Sequence, residues 1–149
     1  MRKIVFGLFI CTQTASVLAQ EYKVSVLKQA PPAATASAVR ELISDQGFRV
    51  QDDKGQTLAD IWLRKSIPGS EKPAGAKEQV LFPFLADGEL IGILEFPGEG
   101  HDYRDQPIAK GVYTMRYGLQ PVNGDHLGVS TYRDYVLLLP SGKDRKSVV

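Results

Sequence analysis

Short apolar segments, separated by glycine and proline, are the feature that most constrains the fold of this chain. The 149 residues include 14 glycines and 9 prolines, and from residue 47 onward these punctuate one apolar run after another. Apolar and polar residues alternate within most of these runs, which is typical of half-buried strands. The pattern predicts a mostly β fold, as an antiparallel β-sandwich or a partly open barrel.

Seven segments fit this strand pattern. They are residues 22–27, 48–50, 58–65, 80–85, 90–96, 111–119 and 135–139. Pro83 demotes the segment 80–85 to an edge or irregular strand, because proline has no N–H to donate to a ladder. The segment 135–139 is apolar on both faces, so we expect it to be central in its sheet.

One segment near the N-terminus changes to a helical period. Val39 and Ile43 belong to a set of apolar residues at helical spacing within residues 35–46. Thr35 is a plausible N-cap, and Gly47 is a plausible residue just beyond the C-terminus of the helix. The sequence therefore predicts one short helix near the N-terminus.

The first residues of the chain resemble a cleavable signal peptide, predicted over 1–19. Arg2 and Lys3 form a positive start, residues 4–10 are almost continuously apolar, and small side chains precede a cut after Ala19. A membrane anchor is the alternative, but a spanning helix needs about 20 apolar residues and polar groups interrupt this run earlier. We therefore predict export to the periplasm, the cell envelope or the extracellular space.

The predicted exported domain, residues 20–143, contains no cysteine, because Cys11 is the only one in the chain. This excludes a disulfide or a thiol nucleophile. Without Arg2 and Lys3, the 18 basic residues fall to 16, against 17 acidic residues. A near-neutral chain without a basic cluster is not expected to bind nucleic acid, and the domain has no predicted transmembrane segment. The length suits a single domain.

The last six residues, 144–149, have an unusual coding property. They can be encoded by GAT CGG AAG AGC GTC GTG, which matches the start of a common short-read sequencing adapter. We therefore predict that residues 144–149 are adapter read-through and that the natural domain is truncated after Lys143. A genuine basic tail is the alternative.

Two long loops hold the residues that could carry chemistry. The loop 97–110 contains His101 and Asp102, and the loop 120–131 contains Asp125 and His126. The loops precede and follow one strand of about nine residues at roughly 3.3 Å each, so we expect them near opposite ends of the sheet. One histidine with one aspartate is a weak transition-metal site, and the sequence predicts no metal and no cofactor.

A ligand site is predicted around the second loop, from Arg116, Asp125, His126, Arg133 and Asp134. Planar guanidinium groups suit carboxylate or phosphate, so the two arginines could reach an acidic group. The alternative is that Arg116 or Arg133 forms a structural ion pair with Asp134.

Sequence signatures of enzymes, such as a nucleophile elbow, a zinc-binding helix or a phosphate-binding loop, are missing. We therefore predict a non-catalytic module that binds a small molecule or a protein surface. One alternative is a hydrolase-like or metal-dependent enzyme that uses His126 with Asp125 or Asp134. Another is a structural protein of the cell envelope.

The segment 111–140 resembles a family of exported bacterial proteins that is frequent in planctomycete-like genomes. The shared elements are a G-x-Y-T-x-R-Y-G-x-Q-P strand, a D-G-x-H-x-G turn and an R-D-[FY]-x-L-L-x-P strand, with N-G-D-H here in the turn. The upstream residues 61–65 and 88–92 fit as well. The resemblance implies export, carries no assigned activity to transfer, and implies a chain that continues past the last strand.

Overall fold

The computed structural model describes residues 21–67, 75, 79–121 and 130–144. The predicted leader 1–19 and residues 145–149 lie outside this part of the chain. Asp125 and His126, in the second loop, lie outside it too.

The chain forms one helix and eight strands within the described residues. In chain order these are β1 Lys23–Leu27, α1 Ser37–Leu42, β2 Gly47–Gln51, β3 Thr57–Leu63, β4 Leu90–Phe96, β5 Gly100–His101, β6 Pro107–Ile108, β7 Gly111–Leu119 and β8 Asp134–Pro140. Six strands form an antiparallel sheet in the order β1-β2-β3-β4-β7-β8, and β5 and β6 form a separate antiparallel ribbon. No closed barrel forms in this part of the chain. The predicted mostly β, antiparallel fold with one short N-terminal helix is confirmed.

The sheet has two different faces. The helix face carries α1 and a buried apolar cluster that consists of Val39, Ile43, Trp62, Leu90 and Ile93. The opposite face, called the ribbon face here, carries a second cluster of Ala59, Leu94 and Met115, flanked by Phe96 and Leu138. Because side chains alternate along a strand, neighbouring residues of β7 belong to different faces.

Trp62 anchors the larger cluster. Its side chain is fully buried, and its indole N–H donates to the carbonyl oxygen of Gln29 at 2.7 Å. A Cβ on Gly47 would lie only 2.7 Å from that indole nitrogen, so the indole needs glycine at this position. The single tryptophan of the chain therefore belongs to the core.

The helix is shorter than predicted. It covers Ser37–Leu42 instead of 35–46, with Ala36 rather than Thr35 as N-cap, and Gly47 opens β2 rather than capping the helix. The chain becomes extended at Ile43, which pairs with Arg64 beyond the end of β3. Tertiary pairing with the sheet therefore overrides the helical spacing of the side chains.

Two strand predictions are wrong. The segment 80–85 forms turns instead of a strand, because the carboxylate of Asp134 takes the N–H groups of Leu81 and Phe82 and Pro83 has none. The segment 135–139 does lie in a strand, β8, but this strand is at the edge of the sheet. A strand that is apolar on both faces is expected to be buried. Within the described residues, β8 is only partly buried, because Tyr135, Val136 and Leu137 are exposed.

Candidate functional site

The β5–β6 ribbon contacts the ribbon face of the sheet through Phe96. Gly100 packs so closely against the ring of Phe96 that a Cβ there would collide with it. The turn of the ribbon thereby comes to lie beside the start of β8. The expectation that the two long loops lie at opposite ends of the sheet is wrong at this point, because residues of the ribbon turn and residues that flank the second loop line one hollow.

A hollow of about 760 Å³ lies between the ribbon turn and β8. It is lined by Asp102, Tyr103, Arg104 and Gln106 from the ribbon and by Gln120, Pro121, Ser130, Asp134, Tyr135 and Val136 from the other side. Its lining therefore joins both loops. The residues on either side of the undescribed segment 122–129 are part of it.

The ribbon turn is held by one side chain. The carboxylate oxygen Oδ1 of Asp102 accepts the N–H groups of Arg104 at 2.8 Å and Gln106 at 2.9 Å. Asp105 adopts a left-handed conformation with φ 60, which closes the turn. The carboxylate of Asp102 therefore stabilises the turn through hydrogen bonds to backbone N–H groups, which is a structural role.

Tyr103 and Arg104 project from this turn. The side chain of Tyr103 is 76% exposed. The guanidinium of Arg104 lies 5.4 Å from the centre of the tyrosine ring, and its Nε–H donates to the tyrosine hydroxyl at 2.9 Å. The pair presents an aromatic surface and a cation beside the hollow.

Asp134 lies at the inner wall of the hollow. Its carboxylate accepts hydrogen bonds from the N–H groups of Leu81 at 2.8 Å and Phe82 at 3.1 Å, and from the hydroxyl of Tyr117 at 2.7 Å. Burial by itself raises the pKa of Asp134, but these hydrogen bonds outweigh it and hold the pKa below its ordinary value. Burial and the bond to Asp134 raise the pKa of Tyr117. Asp134 is therefore an ionised structural anchor at neutral pH.

Arg116 lies on the other face of the sheet. Its Nε donates to Oδ2 of Asp144 at 2.9 Å, and its Nη1 donates to the carbonyl oxygen of Gly88 at 2.7 Å. The hydroxyl of Thr114 also donates to Asp144, at 2.6 Å. Arg116 thus forms a structural ion pair, with Asp144 as its partner and not Asp134.

Asp144 packs against the domain although the sequence analysis placed it just outside. Its side chain is almost completely buried beside Arg116. The origin of the codons for 144–149 is a property of the DNA, and adapter read-through stays a prediction.

Arg133 connects the two flanks of the second loop. Its Nε donates to the carbonyl oxygen of Gln120 at 2.8 Å, and its own N–H donates to the carbonyl oxygen of Gln79 at 2.9 Å. Of the predicted ligand residues, Arg133 and Asp134 lie at or beside the hollow and Arg116 does not. Asp125 and His126 lie outside the described residues.

His101 lies at the exposed rim of the ribbon. Its Nε2 is 3.7 Å from a carboxylate oxygen of Glu99, and both side chains are exposed. In the part of the chain that the structure describes, no group of three or more histidine, cysteine, aspartate or glutamate side chains could hold a metal ion.

The sequence places Tyr103 and Arg104 among the candidate residues of the first loop, but it did not predict that they form a wall of a hollow with Gln106, although a signal was present. The β2–β3 turn has the sequence D-D-K-G-Q over 52–56, and the ribbon turn has D-Y-R-D-Q over 102–106. In both turns the first aspartate accepts two N–H groups, and the fourth residue has a positive φ. The shared spacing could have predicted a hairpin within the first loop.

Comparisons with known proteins leave the chain without an identified relative: no family model, curated protein or solved structure matches it. Within residues 21–67, 75, 79–121 and 130–144, no helix has the length and apolar character needed to cross a bilayer.

Proposed function

We propose that this protein is an exported, non-catalytic binding domain whose ligand occupies the hollow between the ribbon turn and β8. The observation that carries the proposal is the composition of the hollow, in which aromatic, amide and guanidinium groups lie beside apolar side chains. Concave sites with a few convergent polar groups are the default location for small ligands. The signal peptide predicted over 1–19 supports export.

The state of the acidic groups favours binding over catalysis. The carboxylates of Asp102 and Asp134 both accept backbone N–H groups. A general acid or base needs a proton affinity near the working pH, and the pKa of Asp134 is shifted away from that range. These two carboxylates therefore position the walls of the hollow.

The remaining groups indicate the chemistry of the ligand. Tyr103 offers an aromatic surface, Val136 an apolar one, and Gln106, Gln120 and Ser130 offer hydrogen-bond donors and acceptors. Arg104 is the only cation among the described residues that line the hollow, beside Asp102 and Asp134. A neutral, hydroxyl-rich ligand such as a short oligosaccharide suits this balance better than an anion does.

The test is a titration of the 149-residue chain with a panel of neutral oligosaccharides, followed by backbone amide chemical shifts. We expect at least one neutral sugar to shift the amides of 102–106 and 134–136. Tyr103→Ala should weaken that binding about tenfold or more, since it removes the aromatic contact.

Tyr132→Ala is the matched control, because Tyr132 is also exposed but does not line the hollow. Equal losses in the two variants, or no shifts at the hollow with any sugar, would refute the oligosaccharide assignment. Shifts with acidic sugars alone would replace it with an anion site.

A further inference from the structure

The outer edge of β8 is unusually apolar for an edge strand. Tyr135, Val136 and Leu137 are each more than two-fifths exposed, and no charged residue lies between Asp134 and Pro140. Among the described residues, no strand pairs with this edge. Edge strands in natural proteins usually carry charges, prolines or bulges that prevent pairing with another chain, and residues 135–139 carry none of them.

The hydrogen bonds at both ends of the β7–β8 ladder establish which backbone groups point outward. Gln120 N–H donates to the carbonyl oxygen of Arg133, and Ser141 N–H donates to that of Val112, both at 2.9 Å. Antiparallel ladders alternate between hydrogen-bonded and non-hydrogen-bonded pairs. Odd-numbered residues of β8 therefore bond to β7, and the N–H and C=O groups of even-numbered residues point outward.

Other residues of the same chain lie beside both ends of this outer edge. Pro140 has no N–H, and its carbonyl oxygen accepts Lys143 N–H at 2.8 Å. At the other end, Leu81 and Phe82 bind the carboxylate of Asp134. Within the described part of the chain, the outward N–H and C=O groups of Val136 and Leu138, on either side of Leu137, remain for pairing.

We propose that two copies of this chain pair through β8, antiparallel, about a twofold axis at Leu137. In this register Val136 pairs with the partner's Leu138, and Leu138 pairs with the partner's Val136. The four hydrogen bonds of these pairs use all the outward groups of both residues. Leu137 faces the partner's Leu137 in a non-hydrogen-bonded pair, where Cα atoms lie about 4.5 Å apart and side chains are close.

A second copy suits this edge better than an arbitrary peptide because the segment is complementary to itself. A twofold axis perpendicular to the sheet places Val136 and Leu138 on the ribbon face in both copies and Leu137 on the helix face. No like charges oppose each other within residues 135–139. The pairing extends both apolar faces across the axis and completes the burial that the sequence of β8 predicts.

The first test measures the oligomeric state of the 149-residue chain by sedimentation velocity over a range of micromolar concentrations. We expect a reversible dimer with a micromolar dissociation constant, since an edge contact is smaller than a standard interface. Leu137→Lys and Leu137→Glu should each weaken it at least about tenfold, because two like charges then oppose each other. A mixture of the two variants should dimerise again.

Val24→Lys on β1 is the control, since Val24 is even more exposed than Val136 but lies on the other edge, and it should leave the dimer unchanged. A wild-type chain that stays monomeric throughout, or a mixture that does not recover, would overturn the proposal.

A covalent test remains informative if the charged variants fail to fold. In a chain with Cys11→Ser, a cysteine introduced by Leu137→Cys lies opposite its own counterpart, at a spacing that suits a disulfide. Two thiols give one disulfide and pass two electrons to added oxidised glutathione. Leu137→Cys should form a covalent dimer much faster than Val136→Cys, whose opposite residue is Leu138. Equal rates would contradict the register.

Discussion

The two edge strands of the sheet are exposed to a similar degree but differ in their side chains. In β1, Lys23 and Ser25 alternate with Val24 and Val26, so only one face is apolar. In β8, residues 135–139 are apolar on both faces. The degree of exposure does not show whether an edge strand is protected from pairing with another chain. The presence or absence of charged side chains on the strand does.

The two sides of the sheet also differ in the ion pairs that support them. Arg49 and Asp60 join β2 to β3 on the side of β1, and their side chains are 37% and 9% exposed. Asp60 raises the pKa of Arg49 through its hydrogen bonds, although the pair remains in contact with solvent. Arg116 and Asp144, beside β8, have side chains that are only 5% and 1% exposed. Surface pairs contribute little to stability, whereas breaking a buried pair leaves a charge without compensation.

The largest expected effect follows from this difference. Arg116→Ala should lower the free energy of unfolding by about 3 to 5 kcal/mol, because Asp144 is then left buried without its cation. Arg49→Ala should lower it by less, about 1 to 2 kcal/mol, because Asp60 loses two hydrogen bonds but solvent reaches the site from the side of the arginine. Urea unfolding of both variants and the wild type measures the two losses. Similar losses would remove the distinction between the two sides of the sheet.

A smaller effect concerns the anchor at the start of β8. Asp134→Asn should lower the free energy of unfolding by about 1 to 2 kcal/mol at neutral pH, because the hydrogen bonds to an ionised carboxylate are weakened. The pKa of Asp134 is lower in the folded chain, so its contribution is present above the ordinary aspartate pKa, about 4. It is lost as the pH falls through the folded value.

Urea unfolding from neutral to acidic pH checks this dependence. The difference between wild type and Asp134→Asn should shrink as the pH falls below about 4. A difference that is constant with pH would mean that Asp134 supports β8 through its shape and not through its charge.

Residue alternation predicted most of the sheet, because local periodicity reports which face of a strand is buried. The segments 90–96 and 111–119 coincide with β4 and β7. The position of β8 at an edge could not be predicted from its sequence. Apolar side chains indicate that a strand is buried, but they do not indicate which neighbouring strand or chain buries it. Two other errors have long-range causes. The helix ends before Ile43 because Ile43 pairs with Arg64, and residues 80–85 form turns because the carboxylate of Asp134 binds the N–H groups of Leu81 and Phe82.

The candidate site was predicted only in part. A ligand site near Arg133 and Asp134 was predicted from the loop that precedes them, and these two residues lie at or beside the hollow. Tyr103 and Arg104 were assigned to a separate loop, because a strand of this length places its two ends far apart. The β5–β6 ribbon brings these residues to the hollow, and neither composition nor spacing indicates the direction in which the ribbon points.

Hydrogen exchange at the amides of Val136 and Leu138 tests the account of the two edges most directly. At high protein concentration both amides should exchange slowly, and on dilution below the dissociation constant they should exchange fast, while the amides of Leu137 and Leu139 stay protected by β7. No amide of β1 should respond to concentration. Fast exchange of Val136 and Leu138 at every concentration would contradict the account, because the apolar edge of β8 would then remain unpaired.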